Sequence, residues 1–309
     1  MSTLDLPSIS GYNDENCNIA DGKKHVDSLN VKHRSENIDV KHVTSTHLLS
    51  NESCIAVNDK SKPIVKGSLK KNFQFWIDIG ANDYILNVIN SGYKLPFKRI
   101  PEPAFINNNK SARYNEEFVK LAIMDLVRSG SVIETKSKPL VVNPLTVAQN
   151  TSKKRLVLDL RHINQCLEID RIKFEDWKTA LLYANQGKYM FSFDLTSGYH
   201  HIEINKEFQQ YLGFAWKFGN ELKFFYFTVL PFGLATAGHI FTKTVRCLVK
   251  HWRSSAIEIV VYLDDGLGFG STYEEALIIS KRVKLDLHKA GLIENEKKSI
   301  WEPIQRLIW

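Results

Sequence analysis

The run Tyr189-Met190-Phe191-Ser192-Phe193-Asp194-Leu195 is apolar almost without interruption and ends on a carboxylate. Such a run reads as a strand buried on both faces, or nearly so. A carboxylate that close to apolar surface is costly unless it is paired or bound to a cation. A second acidic point lies 70 residues beyond the first, at Asp264. There, Ile257-Glu258-Ile259-Val260-Val261-Tyr262-Leu263, Asp264-Asp265-Gly266 and Leu267-Gly268-Phe269-Gly270 read as strand, tight turn, strand. Three acids brought together repel, and a divalent cation is their natural neutraliser. Asp-Gly is also good turn chemistry, so the turn taken alone leaves both readings open.

The elements around these two points mix helices and hairpins. Asn115-Glu116-Glu117 opens a helix that runs to about Ser129, with Arg128 and Gly130 ending it. Pro139–Val142 and Arg155–Leu160 read as strands around the polar tip Gln149–Lys154. Glu175 to Gln186 is a second helix, stopped by Gly187. Leu212–Phe218 and Leu222–Phe227 flank Gly219-Asn220, a hairpin signal. Phe241, Val245, Leu248 and Trp252 keep helical spacing between Ala235 and Trp252, and a last helix spans about Tyr273 to Ala290, with Gly291 beyond it. There are no internal repeats. The pattern is α+β, unlike a regular βαβ alternation.

Composition divides the chain. Residues 1–68 hold one aromatic, Tyr12, and eight basic against nine acidic residues. A segment that buries so little apolar surface cannot offset its conformational entropy, so 1–68 is predicted to be a disordered leader. The remainder carries 33 basic against 25 acidic residues, a balance that suits a polyanionic partner. Residues 69–110 read as an extended linker with short elements, and 111–309 as the folded region. No apolar run approaches the ~20 residues of a membrane span, so no membrane partner is expected. The start Met1–Pro7 lacks the basic flank and apolar stretch of a signal peptide. Cys17, Cys54, Cys166 and Cys247 form no C-x-x-C, which argues against a disulfide framework or zinc knuckle and for a reducing intracellular compartment.

Between the two acidic points lies Leu230-Pro231-Phe232-Gly233-Leu234-Ala235-Thr236-Ala237, leading into a helix. With it the chain resembles a reverse transcriptase over roughly residues 96–309. Arg155-Leu156-Val157-Leu158-Asp159-Leu160-Arg161-His162-Ile163-Asn164 is similar to the fingers motif. Phe193-Asp194-Leu195-Thr196-Ser197-Gly198-Tyr199-His200-His201-Ile202 resembles the palm motif with the first catalytic Asp. Leu230–Thr236 resembles the nucleotide-pocket motif, Tyr262-Leu263-Asp264-Asp265 the catalytic hairpin, and Gly291–Ser299 the segment after the palm helix. The wording is most similar to retrotransposons of the gypsy and DIRS types.

The resemblance implies a right-hand polymerase with fingers and an antiparallel palm sheet backed by helices. It implies RNA-directed DNA synthesis on an RNA template and a DNA primer with dNTP. Asp194 and Asp264 would be the main ligands of two Mg²⁺ ions, with Asp265 an accessory carboxylate and Mn²⁺ an alternative metal. Arg155 would contact the triphosphate, since its planar fork suits phosphate oxygens, or else be an edge-strand charge. Leu195 would belong to the dNTP site. Tyr199 would stack under the deoxyribose and exclude a 2′-hydroxyl, or else be a core aromatic. Phe232 and Gly233 would line the nucleotide pocket, Phe232 alternatively being plain packing. Lys298 would protonate pyrophosphate, or else be a surface lysine.

Three departures stand against the family pattern. The pocket motif usually continues with Ala-Pro, whereas Gly238-His239 follows Ala237 here, which loosens the expected helix start. The fingers tip is poorly matched, with Lys153 and Lys154 standing where a triphosphate grip is expected. The chain ends at Ile308-Trp309, where the palm sheet should finish, so the thumb is expected to be missing. The competing reading is a catalytically incomplete remnant that retains only weak nucleic-acid binding. An RNA-templated RNA polymerase is disfavoured by Tyr199. The oligomeric state is left open.

Overall fold

A computed structural model describes residues 63–307, apart from 151–152, 171 and 185–186. The predicted leader lies outside the described residues as far as residue 62. Its last part does not behave as a leader: Val65 is buried, and Ser68 Oγ donates to the Val65 carbonyl. The stretch read as a linker begins with three helices, α1 (Ser68–Lys71), α2 (Phe73–Asp78) and α3 (Asp83–Ser91). Asn82 caps α3 by accepting from the Ile85 N–H. Trp76 is fully buried and its indole N–H donates to the Ala290 carbonyl at 3.0 Å, 214 residues away. These helices belong to the core.

The chain continues through β1 (Ala104–Phe105), α4 (Lys110–Tyr114), α5 (Glu116–Arg128), β2 (Val132–Thr135), β3 (Val141–Val142), β4 (Leu145–Asn150) and β5 (Lys153–Leu158). Then come α6 (Arg161–Asn164), α7 (Trp177–Tyr183) and β6 (Tyr189–Asp194), followed by 3₁₀ turns at Gly198–His201 and Lys206–Tyr211. The last elements are β7 (Gly213–Phe218), β8 (Glu221–Phe227), α8 (Ala237–Ser254), β9 (Ile259–Tyr262), β10 (Asp265–Gly270), α9 (Tyr273–Ala290) and β11 (Ile300–Ile304). The α+β expectation matches this mixture of helices and sheets. Two of the differences in boundaries concern the first hairpin and α7. The hairpin partner of β5 is β4, because Val141–Val142 is drawn into another sheet between β1 and β7. Helix α7 starts after its cap Asp176, which accepts from the Thr179 N–H, and is shorter than Glu175–Gln186.

Three sheets form. One is four-stranded and antiparallel, in the order β11-β6-β10-β9. A second is five-stranded, in the order β1-β3-β7-β8-β2, and the third is the β4–β5 hairpin. The antiparallel sheet positions the site. Side chains alternate along a strand, so Phe191 and Phe193 share one face of β6, and Ser192 and Asp194 the other. Opposite the two rings, β10 presents Gly268 and Gly266. A Cβ at either glycine would overlap the facing ring, so each glycine is the recess its phenylalanine fills. Phe193 stacks on Trp301 at 5.7 Å and meets Trp252 of α8 edge-on at 6.3 Å. Helices α8 and α9 cover this face, with Val245, Leu248, Val283 and Leu287 buried against it. Toward the opposite face, Ala180 of α7 packs with Val260, Leu267 and Phe269. Both faces are shielded near the middle, as the apolar run predicts. The acidic end is left for chemistry.

Candidate active site

Asp194 is the last residue of β6, and its cross-strand partner is Asp265, the first of β10. Asp264 lies in the preceding turn, and its carbonyl accepts the Leu195 N–H at 2.8 Å. The two acidic points of the sequence thus meet at one end of one sheet. The turn itself differs from the expected Asp-Asp-Gly. Leu263 and Asp264 make it, while Asp265 and Gly266 are already strand. Leu263 has φ 53°, and Ser197, on the other chain segment of the site, has φ 52°. Each is a left-handed conformation that costs a non-glycine residue about 1 kcal/mol or more. Strain has collected on both sides of the carboxylates.

The electrostatics record the crowding. Burial, then the charges of Asp264 and Asp194, push the Asp265 carboxyl up to about 6. Burial and the neighbouring Asp194 also raise Asp264, whereas the cations Lys298 and Arg155 act the other way. Lys298 Nζ lies 2.7 Å from Asp194 Oδ2, and this bond raises the lysine pKa. The lysine arrives on a segment tied to β6: the Asn295 N–H donates to the Asp194 carbonyl at 2.7 Å, and the Lys298 N–H to the Asn295 carbonyl at 3.0 Å. Among the described residues, no three ligand side chains are gathered closely enough to hold an ion unaided. The donor set still fits Mg²⁺, which takes one or two carboxylates and completes its shell with water and phosphate oxygens. An ammonium against Asp194 answers the same need for positive charge.

Tyr199, half-buried, stands beside these acids. Its ring lies 5.4 Å from Phe232 and 5.6 Å from Phe241, and burial followed by the charge of Asp264 raises its hydroxyl pKa. Phe232 is 44% exposed, as the wall of an open pocket would be. Gly233 has φ 109°, and a Cβ there would overlap the Leu158 carbonyl, so only glycine seats this loop on β5. Helix α8 begins at Ala237 although no proline follows it, and Gly238 leaves room beside the Tyr199 hydroxyl. Arg155 is exposed on β5, opposite Ala148. Leu195, the other residue expected at the dNTP site, follows Asp194 directly. It is buried and its N–H is spent on Asp264, so it acts as a ligament between the strands. His239 meets the Asp170 carbonyl at 3.1 Å.

Sequence reasoning missed Asn164 and His201. Asn164 Nδ2 donates to the Gly233 carbonyl, and its Oδ1 accepts the Ala235 N–H, both at 2.9 Å, so one amide clamps the pocket loop. The signal was present in Arg-His-Ile-Asn, but the bonds span about 70 residues. Asn164, Asp159, Arg161 and Gly233 also line an open cavity of about 530 Å³. There Arg161 pairs with Asp159 at 2.6 Å and, with Asn109, holds the Asp159 carboxyl down at about 2. Among the described residues, no helix is long and apolar enough to cross a membrane.

Comparison with known proteins follows the same lines. The family model described as reverse transcriptase (RNA-dependent DNA polymerase) matches residues 141–303, just over half of the chain. The retrovirus-related Pol polyprotein from transposon 412 of Drosophila melanogaster is 27% identical over 248 residues, covering 74% of this chain and 20% of that protein. The chain spans under a third of the length of the first curated relatives it matches. The crystal structure of prototype foamy virus protease–reverse transcriptase superposes with a TM-score of 0.54 at 23% identity, over 67% of this chain and 26% of that one. The foamy viral protease–reverse transcriptase in complex with an RNA/DNA hybrid gives 0.52 at 22% identity, over 75% and 33%. At these identities the structural likeness concerns the fold.

Proposed function

The chain belongs to the reverse transcriptase (RNA-dependent DNA polymerase) family, and from that premise we propose that it is the polymerase core of a retroelement polyprotein. The observation that carries this reading is the pairing of Asp194 with Asp265, beside Asp264, at the end of one antiparallel sheet. We assign that sheet with α8 and α9 to the palm, and the β4–β5 hairpin with its surroundings to the fingers. The element is of the gypsy or DIRS type. The relatives are retroelement and viral polyproteins, and a solved neighbour carries an RNA/DNA hybrid, which supports an RNA template and a DNA primer as partners.

Asp194, Asp264 and Asp265 would hold two divalent ions, Mg²⁺ in the first instance. The chemistry these supply when bound is a lowered pKa at the primer 3′-hydroxyl and charge neutralisation along the triphosphate. The side chains supply the rest. Arg155 offers a planar fork to phosphate oxygens. Tyr199 presents its ring to the deoxyribose, with Phe232 and Gly233 completing the wall. Lys298, already carrying a proton against Asp194, is set to donate it to departing pyrophosphate.

Primer extension tests the reading, with the chain alone and with the chain joined to a thumb domain from a related element. The joined chain extends a DNA primer on an RNA template with dNTP and Mg²⁺. Asp264→Asn abolishes that extension, because the amide keeps the shape and removes the charge that binds the metal. Undiminished synthesis by this variant overturns the site. With the chain alone, binding of nucleic acid weakens as salt rises, and salt-independent binding overturns the nucleic-acid part of the reading.

A further inference from the structure

His201 is buried, with only 1% of its surface exposed, and both ring nitrogens are engaged. The Ile293 N–H donates to Nε2 at 3.1 Å, while Nδ1 lies 3.1 Å from the Gly198 carbonyl. A backbone N–H only donates and a carbonyl only accepts. The proton must therefore sit on Nδ1, the ring must be neutral, and its two bonds run in opposite directions. The ring bridges two segments of the site. Gly198 opens the 3₁₀ turn that carries Tyr199, and the Ile293 carbonyl takes the Thr196 N–H at 2.8 Å. A bridge between Leu195 and Glu294 lies just before the strained Ser197, and His201 closes the turn just after it. The Tyr199 turn is thus anchored on both sides of its strained residue.

We propose that His201 is a positioning residue for sugar selection: its imidazole, strung between Gly198 and Ile293, fixes the turn that presents Tyr199 to the nucleotide. The inference rests on the reading of Tyr199 as the wall that excludes a 2′-hydroxyl. In His201→Leu the bulk stays, but the Gly198 carbonyl and the Ile293 N–H lose their partner. A buried pair left unsatisfied favours release of the turn. Glutamine is the conservative replacement, since its amide can accept from Ile293 and donate to Gly198.

The test uses the full chain and two readouts. In the first, dATP and ATP compete for the chain bound to a primer–template duplex in Mg²⁺. In the second, the ring resonances of Tyr199 are followed in the free chain, with buried Tyr93 as the internal reference. His201→Leu is expected to lower the preference for dATP about tenfold. It also moves the Tyr199 resonances and leaves those of Tyr93 in place, and His201→Gln restores both. Wild-type discrimination and an unmoved Tyr199 ring in His201→Leu overturn the proposal. Tyr199→Ala separates the two layers: an unchanged preference in that variant removes the Tyr199 reading, and the role of His201 in selection with it, whatever the resonances do. Should His201→Leu fail to fold, the imidazole nitrogens of the wild-type chain decide. A neutral ring protonated on Nδ1 at pH 7 supports the bridge, and a charged or Nε2-protonated ring overturns it.

Discussion

Burial of His201 sets a pH window for the stability of the fold. Burial, with a smaller contribution from the neighbouring His200, lowers its pKa to about 4 from the usual 6.5. Between those values the unfolded chain binds a proton that the folded chain refuses, so stability is complete above about pH 6.5 and falls as pH drops towards 4. The shift corresponds to about 3 kcal/mol at most. Asp265 works in the opposite sense, since its raised pKa makes the folded state the better proton binder between 3.8 and about 6. The informative quantity is therefore the difference between wild type and His201→Gln in urea unfolding. The stability of wild type relative to the variant should decline from pH 7 to pH 4, and a constant difference overturns the assignment. The three aspartates were legible because charge at the end of an apolar strand has few explanations. His201 was not, because its meaning lies in the Ile293 N–H, 92 residues away.

At the scale of elements, the β9–β10 hairpin shows where local and non-local reading part. Asp-Gly signals a turn, yet the turn falls one residue earlier, at Leu263-Asp264. Gly266 is glycine for a different reason: the Phe193 ring occupies the space of its side chain. That demand comes from β6, through the Asp194–Asp265 register, and no window around residue 266 contains it. Gly266→Ala should therefore destabilise the chain by about 1–3 kcal/mol, the usual range for overpacking, or by more. Leu263→Gly should stabilise it by up to about 1 kcal/mol by relieving the left-handed backbone. Both are read from denaturant midpoints, and an alanine at 266 without cost would contradict the packing. Helix α9 was readable because its signals are local: Thr272 accepts from the Glu275 N–H at the start, and Gly291 takes φ 77° at the end.

The whole molecule extends past the part that carries the family pattern. The five-stranded sheet has β1 and β2 as its two edges, and both precede residue 141. Trp76, Ile85, Val119 and Ile123, also upstream, are buried in the same core as Phe193 and Leu287. Residues 69–110 read as a linker because short helices with few charges give weak periodic signals, and the partner of Trp76 is the Ala290 carbonyl at the far end of the fold. That contact holds the end of α9 just before the segment that brings Ile293 to His201 and Lys298 to Asp194. A piece limited to residues 141–303 should then expose both faces left by the missing strands and fail to unfold cooperatively. Residues 63–309 should give one sharp thermal transition. Trp76→Phe tests the link within the intact chain. A smaller aromatic ring stays, the Ala290 carbonyl loses its donor, and the void left by the indole adds to the cost, so stability drops by about 1–3 kcal/mol or more in urea unfolding. Amide exchange should quicken over 290–299 ahead of the rest of the chain. Uniform quickening, or a cooperative transition from 141–303 alone, would show that the upstream helices merely lean on the rest of the fold.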